Sequence, residues 1–191
     1  MIKICKFGGS SVASASQFRR VKEIVEADPD RRFVVVSAVG KRDSSDNKIT
    51  DLLLLANAHV TYHVDCTQLL DTIKARFVGI ADELGIAWPV AEKFDSFADD
   101  ISKHSPEYVV SRGEWFTARI LADYLGMPFV DAADVMIFHH NGTVDLERTA
   151  LRLKEAVQRQ GTFVFPGFYG ATVDGSIKLF QRGGGDITGA I

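Results

Sequence analysis

Apolar positions along the chain follow two periods in turn. Residues 2–7 (IKICKF) are a short apolar run ending in GGSS, the pattern of a buried strand entering a glycine turn. Phe18, Val21, Ile24 and Val25 recur three and four apart, which predicts an amphipathic helix over about residues 14–27, broken by DPDRR. FVVVSAV (33–39) is rich in β-branched residues with almost no polar interruption, as in a parallel strand covered on both faces. GKRDSSDNK is a polar loop, and TDLLLLANAHV opens a helix with Thr50 as the expected N-cap.

The strand–helix rhythm then breaks. Leu70, Ile73, Phe77, Ile80 and Leu84 make one helical stripe, and Val90, Phe94, Phe97 and Ile101 a second. With GIAWP between them they predict a helical hairpin over about residues 65–104. SRGE opens a further helix, stopped by Gly126. MPFVDA and VMIFHH read as short strands. Leu146, Ala150, Leu153 and Val157 mark another helix, with Asp145 as N-cap. TFVFPGF is a buried strand, and ATVDGSIKLF a hairpin turning at Asp174-Gly175. The whole predicts an α/β fold with a mostly parallel sheet and no internal linker.

Composition narrows this only a little. Hydrophobic residues are 46% and charged residues 25% of the 191, an ordinary soluble balance for one domain or part of a larger one. The net charge of -3 gives no reason to expect nucleic acid or an anionic membrane as partner. Polar residues interrupt every long apolar run, so no membrane span is expected. MIKICKFGG lacks the apolar region of a signal peptide, which points to a cytoplasmic protein. Cys5 and Cys66 are then expected as two buried thiols rather than a disulfide.

Neither a P-loop nor a G-x-G-x-x-G is present: VSAVGKR has a Gly-Lys pair without the preceding glycine. His59 and His63 have ligand spacing on one helix turn, but HVTYH lacks the glutamate of a zinc motif, so no metal site is expected there. HHNG (139–142) reads as a turn. In KFGGSS, Lys6 ends a strand, and Gly8, Gly9 and Ser10 form a turn whose amides can approach a phosphate. A plain strand–turn–helix with a surface lysine is the alternative. Glu114 precedes Trp115 and Phe116, and a carboxylate buried there needs a partner. That partner is either a structural arginine or the ammonium of a bound amino acid. FPGFYG sets Gly167 and Phe168 at the carboxyl edge of the sheet, where open α/β sheets bind ligands. QRGGGD adds Arg182, a fork for a carboxylate, and Asp186, for which helix capping is the alternative role.

KFGGSSV, VVVSAVG, TDLLL, SRGE, FPGFYG and RGGGD, in this order and over essentially all 191 residues, resemble the aspartokinases of the amino-acid kinase superfamily. The helical hairpin is similar to the insertion that sets aspartokinases apart from smaller superfamily members. The resemblance implies a three-layer αβα sandwich, incomplete in these residues. It also implies transfer of the γ-phosphoryl group of ATP, with Mg²⁺, to the side-chain carboxylate of L-aspartate. The product, 4-phospho-L-aspartate, leads to lysine, threonine and methionine. Residues 1–191 would be the N-terminal, substrate-binding part of the kinase domain, with the nucleotide-base half and ACT regulatory domains outside them.

By the same resemblance Lys6 contacts the ATP phosphates, Gly8, Gly9 and Ser10 approach them, and Asp186 organises Lys6. Ser37 lies between phosphate and acceptor. Thr50, Glu114 and Arg182 bind aspartate, Glu114 through its ammonium and Arg182 through a carboxylate, and Gly167 and Phe168 form the pocket wall. The metal would sit mainly on the phosphates. Gly185 stands where the family motif R-G-G-S-D has serine, so the hydroxyl contact is lost. Two alternatives remain at this stage: a kinase of another acid, such as N-acetylglutamate or glutamate, and a catalytically inactive aspartate-binding piece of an enzyme. The uncovered edges of an incomplete sheet predict self-association, as a homo-oligomer or with a neighbouring chain completing the sheet.

Overall fold

The β-branched run 33–39 supplies the strand around which the rest packs. A computed structural model describes residues 1–180 and 184–191. In it β2 (Arg31–Val36) lies between β1 (Lys3–Phe7) and β4 (Phe163–Pro166), all parallel, with Lys6 opposite Val35 and Val35 opposite Phe165. Because side chains alternate across a strand, Val34 and Val36 enter one apolar cluster and Phe33 and Val35 another. Both faces of β2 are therefore buried, as its composition requires.

The first cluster is helical. α1 (Ala15–Glu26), α2 (Ile49–Thr61) and α5 (Pro106–Leu125) contribute Phe18, Leu53 and Phe116. The hairpin of α3 (Thr67–Leu84) and α4 (Val90–Asp99) adds Phe77 and Phe94, whose rings lie 5.3 and 5.5 Å from that of Phe116. The second cluster covers the other face. It is built by α6 (Ala132–Val135), α7 (Leu146–Gln160) and a small mixed sheet. In that sheet β3 (Ile137–Phe138) runs parallel to β5 (Tyr169–Thr172), which pairs antiparallel with β6 (Ile177–Leu179). α8 (Gly184–Ala190) packs across the ends of β1 and β2. The αβα layering and the helical insertion agree with the sequence reading.

Several expectations change in detail. β1 is the edge strand of its sheet among the described residues, and Ile4 is 52% exposed, so the strand is not buried. α2 starts at Ile49 with Lys48 at the N-cap position, which puts Thr50 inside the first turn and not at the cap. α5 begins at Pro106 behind the capping hydroxyl of Ser105, so SRGE lies within the helix and does not open it. MPFVDA makes only a single bridge, from Phe129 to Val164, before Asp131 caps α6. On α7 the buried face holds Thr149 and Ala156, while Leu146 and Ala150 are exposed. Thr149 wins the inward position because its hydroxyl accepts a hydrogen bond from the Ile137 amide at 3.0 Å. Both cysteines are free and half-buried, and burial pushes both thiols up. No helix among the described residues is long and apolar enough to cross a membrane.

Candidate active site

The strand ends carry the site. Where β1 stops, the chain makes one tight turn over Gly9–Val12, with the Ser11 amide donating to the Gly8 carbonyl at 2.9 Å. The segment after β2 lies directly on this turn. The Gly40 amide donates to the Gly9 carbonyl at 3.0 Å, and a Cβ on Gly9 would stand 2.9 Å from the Ala38 oxygen. A side chain at either glycine would force the two backbones apart.

From the end of β1, Lys6 Nζ reaches Asp186 Oδ1 of α8 at 2.7 Å, joining residues 180 positions apart in the sequence. Gly185 sits against this pair: a Cβ there would lie 3.4 Å from both Lys6 Cε and Ser37 Oγ. Gly167, at the end of β4, closes the group, since a Cβ on it would stand 3.1 Å from the Gly185 Cα. Next to it Phe168 has φ of 75°, a left-handed backbone that a bulky side chain rarely adopts. Its amide donates to the Thr188 hydroxyl at 3.3 Å, and its carbonyl accepts from the Phe180 amide at 2.8 Å. Strain of this kind concentrates at functional sites.

A cavity of about 440 Å³ opens beside these groups, lined by Gly9, Ser10, Ser37, Thr50 and Glu114. Glu114 arrives there because its neighbour is glycine: a Cβ on Gly113 would meet the Ala38 Cβ at 2.9 Å, so only glycine lets α5 approach this closely. Glu114 is 5% exposed, and its Oε2 finds no hydrogen-bond partner among the described residues. Burial pushes its carboxyl up to about 8, although the Ala38 amide and the Arg112 charge pull the other way. A buried carboxyl with an unpartnered oxygen, on a residue that lines a cavity, is suited to receive a cation.

The structure thus brings Lys6, Ser37, Gly167 and Asp186 together around Gly185, and sets Gly9, Ser10, Ser37, Thr50 and Glu114 around one cavity. Gly8 belongs with them, its Cβ position lying 3.8 Å from Lys6 Nζ. Arg182 lies outside the described residues. Sequence reasoning missed Gly40, Lys41 and Lys48 on the cavity wall, and Thr117 behind it. The Thr117 hydroxyl accepts from the Val39 amide at 3.1 Å and donates to the Gly113 carbonyl at 2.7 Å. The Gly-Lys pair in VGKR and a threonine four residues after Gly113 were the available signals. Of the two histidines, His59 has its Nδ1 2.8 Å from the Asp65 carbonyl oxygen, and His63 follows the end of α2 with φ of 55°. A larger hollow of about 740 Å³ between α7 and the β5–β6 hairpin contains none of the site residues and is walled by exposed side chains such as Arg148, Leu151 and Val173.

The sequence profile described as "Amino acid kinase family" matches residues 1–191, the entire chain. This chain belongs to the amino acid kinase family. Within the family it is 35% identical over 208 residues to Aspartokinase 3 of Bacillus subtilis, covering 100% of this chain and 45% of that protein. It is 27% identical to the aspartokinase of Chlamydia trachomatis, over 98% of this chain and 44% of that one. Among solved structures, the aspartate kinase of Clostridium acetobutylicum superposes with a TM-score of 0.94 at 40% identity, over 98% of this chain and 43% of that one. Aspartokinase III of Escherichia coli, solved in complex with aspartate and ADP, shares the fold with a TM-score of 0.81 at 23% identity, over 97% of this chain and 45% of that one. The chain therefore spans about half the length of the relatives it matches.

Proposed function

We propose that the complete protein containing this chain is an ATP-dependent aspartate kinase, forming 4-phospho-L-aspartate. The observation that carries this reading is the buried Glu114 carboxyl, with Oε2 unpartnered among the described residues, in the same cavity as the Gly9–Ser10 turn. A free amino acid supplies an ammonium for Glu114, which an N-acetylated acid lacks. The aspartate bound by the Escherichia coli relative and that relative's ADP support the same assignment.

Little proton chemistry is required. The acceptor carboxylate is already ionised near neutral pH, so the site has to align the reactants and cancel negative charge. Lys6 supplies a positive charge at the end of β1, where its ammonium lies 2.7 Å from the Asp186 carboxylate. The turn Gly8–Gly9–Ser10 offers backbone amides; Gly8 has its Cβ position 3.8 Å from Lys6 Nζ, while Gly9 lets the turn close on Ala38 and Gly40. Ser37 lines the cavity beside this turn and is assigned a place between phosphate and acceptor, and Thr50 and Glu114 are assigned to the acceptor, with Arg182 assigned to its carboxylate. ATP supplies the transferable phosphoryl group, and Mg²⁺ neutralises its phosphates.

The nucleotide-base half of the site and any ACT regulatory domains belong, in this reading, to chain outside residues 1–191. The same reading includes a homo-oligomer, supported by β1 being an edge strand among the described residues, with Ile2 and Ile4 exposed. Light scattering tests it, and a monomer at high concentration counts against it. The activity itself is tested by trapping the acyl phosphate with hydroxylamine in the presence of ATP and aspartate, glutamate or N-acetylglutamate. Trapped product with aspartate alone supports the reading, and product with another acid alone overturns it. Turnover by residues 1–191 without further chain would contradict the division of the site.

A further inference from the structure

The helical hairpin sends one charged side chain inward. Arg76, on α3 between the buried Ile73 and Phe77, is only 8% exposed. A guanidinium is expensive to bury unless its donors are paired. Here Nη1 donates to Asp46 Oδ2 at 2.6 Å, and Nη2 donates to the Gly40 carbonyl at 2.9 Å and the Ala13 carbonyl at 3.4 Å. Asp46 is itself saturated. Arg42 Nε reaches it at 2.9 Å, and the Arg42 and Asn47 amides donate to it at 2.9 and 3.0 Å. Hydrogen bonding from Arg42, with the Arg76 charge adding to it, holds the Asp46 carboxyl well below the usual carboxylate range.

None of the three acceptors lies on α3, and each anchors a segment of the cavity wall. Ala13 follows the glycine turn Gly9–Val12. Gly40 is the residue packed backbone-to-backbone on Gly9. Asp46 folds back the loop that carries Lys41 and Lys48, both of which line the cavity. One planar fork therefore fastens the glycine turn, the segment after β2 and the 41–48 loop to the helical insertion. Lysine carries the same charge but cannot reproduce the fork.

We propose that Arg76 is a positioning residue for phosphoryl transfer, through which the helical insertion braces the glycine turn and the 40–48 loop. This rests on reading the cavity as the phosphoryl-transfer site. Glu114 is carried by α5 and Thr50 by the first turn of α2, and neither is bonded to Arg76, so binding of the amino acid is spared while alignment of the phosphate is lost.

The test uses the complete protein with Arg76→Lys and, separately, Asp46→Asn. Three quantities are read: kcat, the KM for aspartate, and amide hydrogen exchange in peptides covering residues 8–13 and 38–48. Arg76→Lys should lower kcat by about 10- to 100-fold, the effect of a small misplacement of reacting groups, with aspartate KM changed by less than about 3-fold. Exchange in the two peptides should speed up while the unfolding temperature stays close to wild type. Asp46→Asn should act in the same direction by a smaller factor, and it carries the test if Arg76→Lys does not fold. Wild-type kcat together with wild-type exchange in the folded variants overturns the proposal. So does a fall in kcat without faster exchange, or one matched by an equal loss of folded protein. If the wild-type protein does not phosphorylate aspartate, the functional reading fails, and the exchange measurement still decides whether Arg76 holds the two loops.

Discussion

Glu114→Gln separates a residue kept for binding from one kept for stability, because the two roles predict opposite signs. The wild-type carboxyl stands at about 8 in the folded protein, against an ordinary value of 4.5. The folded state thus keeps a proton that the unfolded chain releases, and stability falls as pH rises from about 4.5 to about 8. Each pKa unit corresponds to about 1.4 kcal/mol, so the penalty should be about 1 kcal/mol at pH 5 and about 3 kcal/mol at pH 7. Glutamine keeps the shape and never ionises. Its buried amide leaves donors unpaired at a cost of about 1–3 kcal/mol, but that cost does not vary with pH. The clean quantity is therefore the difference between variant and wild type across pH. The apo variant should gain about 3 kcal/mol on the wild type between pH 5 and pH 8, read from thermal or denaturant unfolding of the complete protein at each pH. Over the same change aspartate affinity should fall by about 1.5–3 kcal/mol, the size of a lost charge-assisted contact, read by calorimetry. A stability difference that does not change with pH, or an unchanged aspartate affinity, would refute the reasoning.

Thr117→Val removes the hydroxyl that accepts from the Val39 amide, leaving a buried donor unpaired; denaturant unfolding should show a loss of about 1–3 kcal/mol, and a loss under about 0.5 kcal/mol would mean that water or a shifted backbone replaces it. At Gly185 a Cβ meets only ordinary contacts, 3.4 Å to Lys6 Cε and Ser37 Oγ. Gly185→Ser should therefore leave the unfolding temperature nearly unchanged and lower the aspartate KM by adding a hydroxyl beside Ser37, whereas a strong rise in KM would show that the glycine itself is required. At pH 7 aspartate binding should displace about one proton from Glu114, visible as a dependence of the calorimetric enthalpy on the buffer's ionisation enthalpy; no such dependence would mean that no cation is received there.

The fold was legible where local chemistry and tertiary packing agree. The run that became β2 has no polar face to expose, and Gly126 and Asp145 end and cap their helices through backbone geometry that those residues favour anywhere. The Ser105-Pro106 start of α5 was equally present in the sequence, but the apolar pattern drew attention to SRGE farther along. On α7 an apolar stripe misled, because Thr149 takes the buried face by pairing with a strand 12 residues earlier. Lys6, Ser37, Thr50, Glu114 and Asp186 stood in recognisable motifs. Arg76, Asp46 and Thr117 did not, because their value lies in partners distant in sequence: 36 residues separate Arg76 from Gly40, and 78 separate Thr117 from Val39. Pairing of buried polar groups is set by the folded chain, and no local pattern announces it.

In the proposed reaction Lys6 is the cation that offsets charge on the transferring phosphoryl group, with Asp186 2.7 Å from its ammonium. The most direct test is kcat for aspartate-dependent phosphoryl transfer by Lys6→Ala in the complete protein. The account predicts a fall of about 10²- to 10³-fold, the usual size for one lost electrostatic donor. A variant turning over at close to the wild-type rate would contradict it.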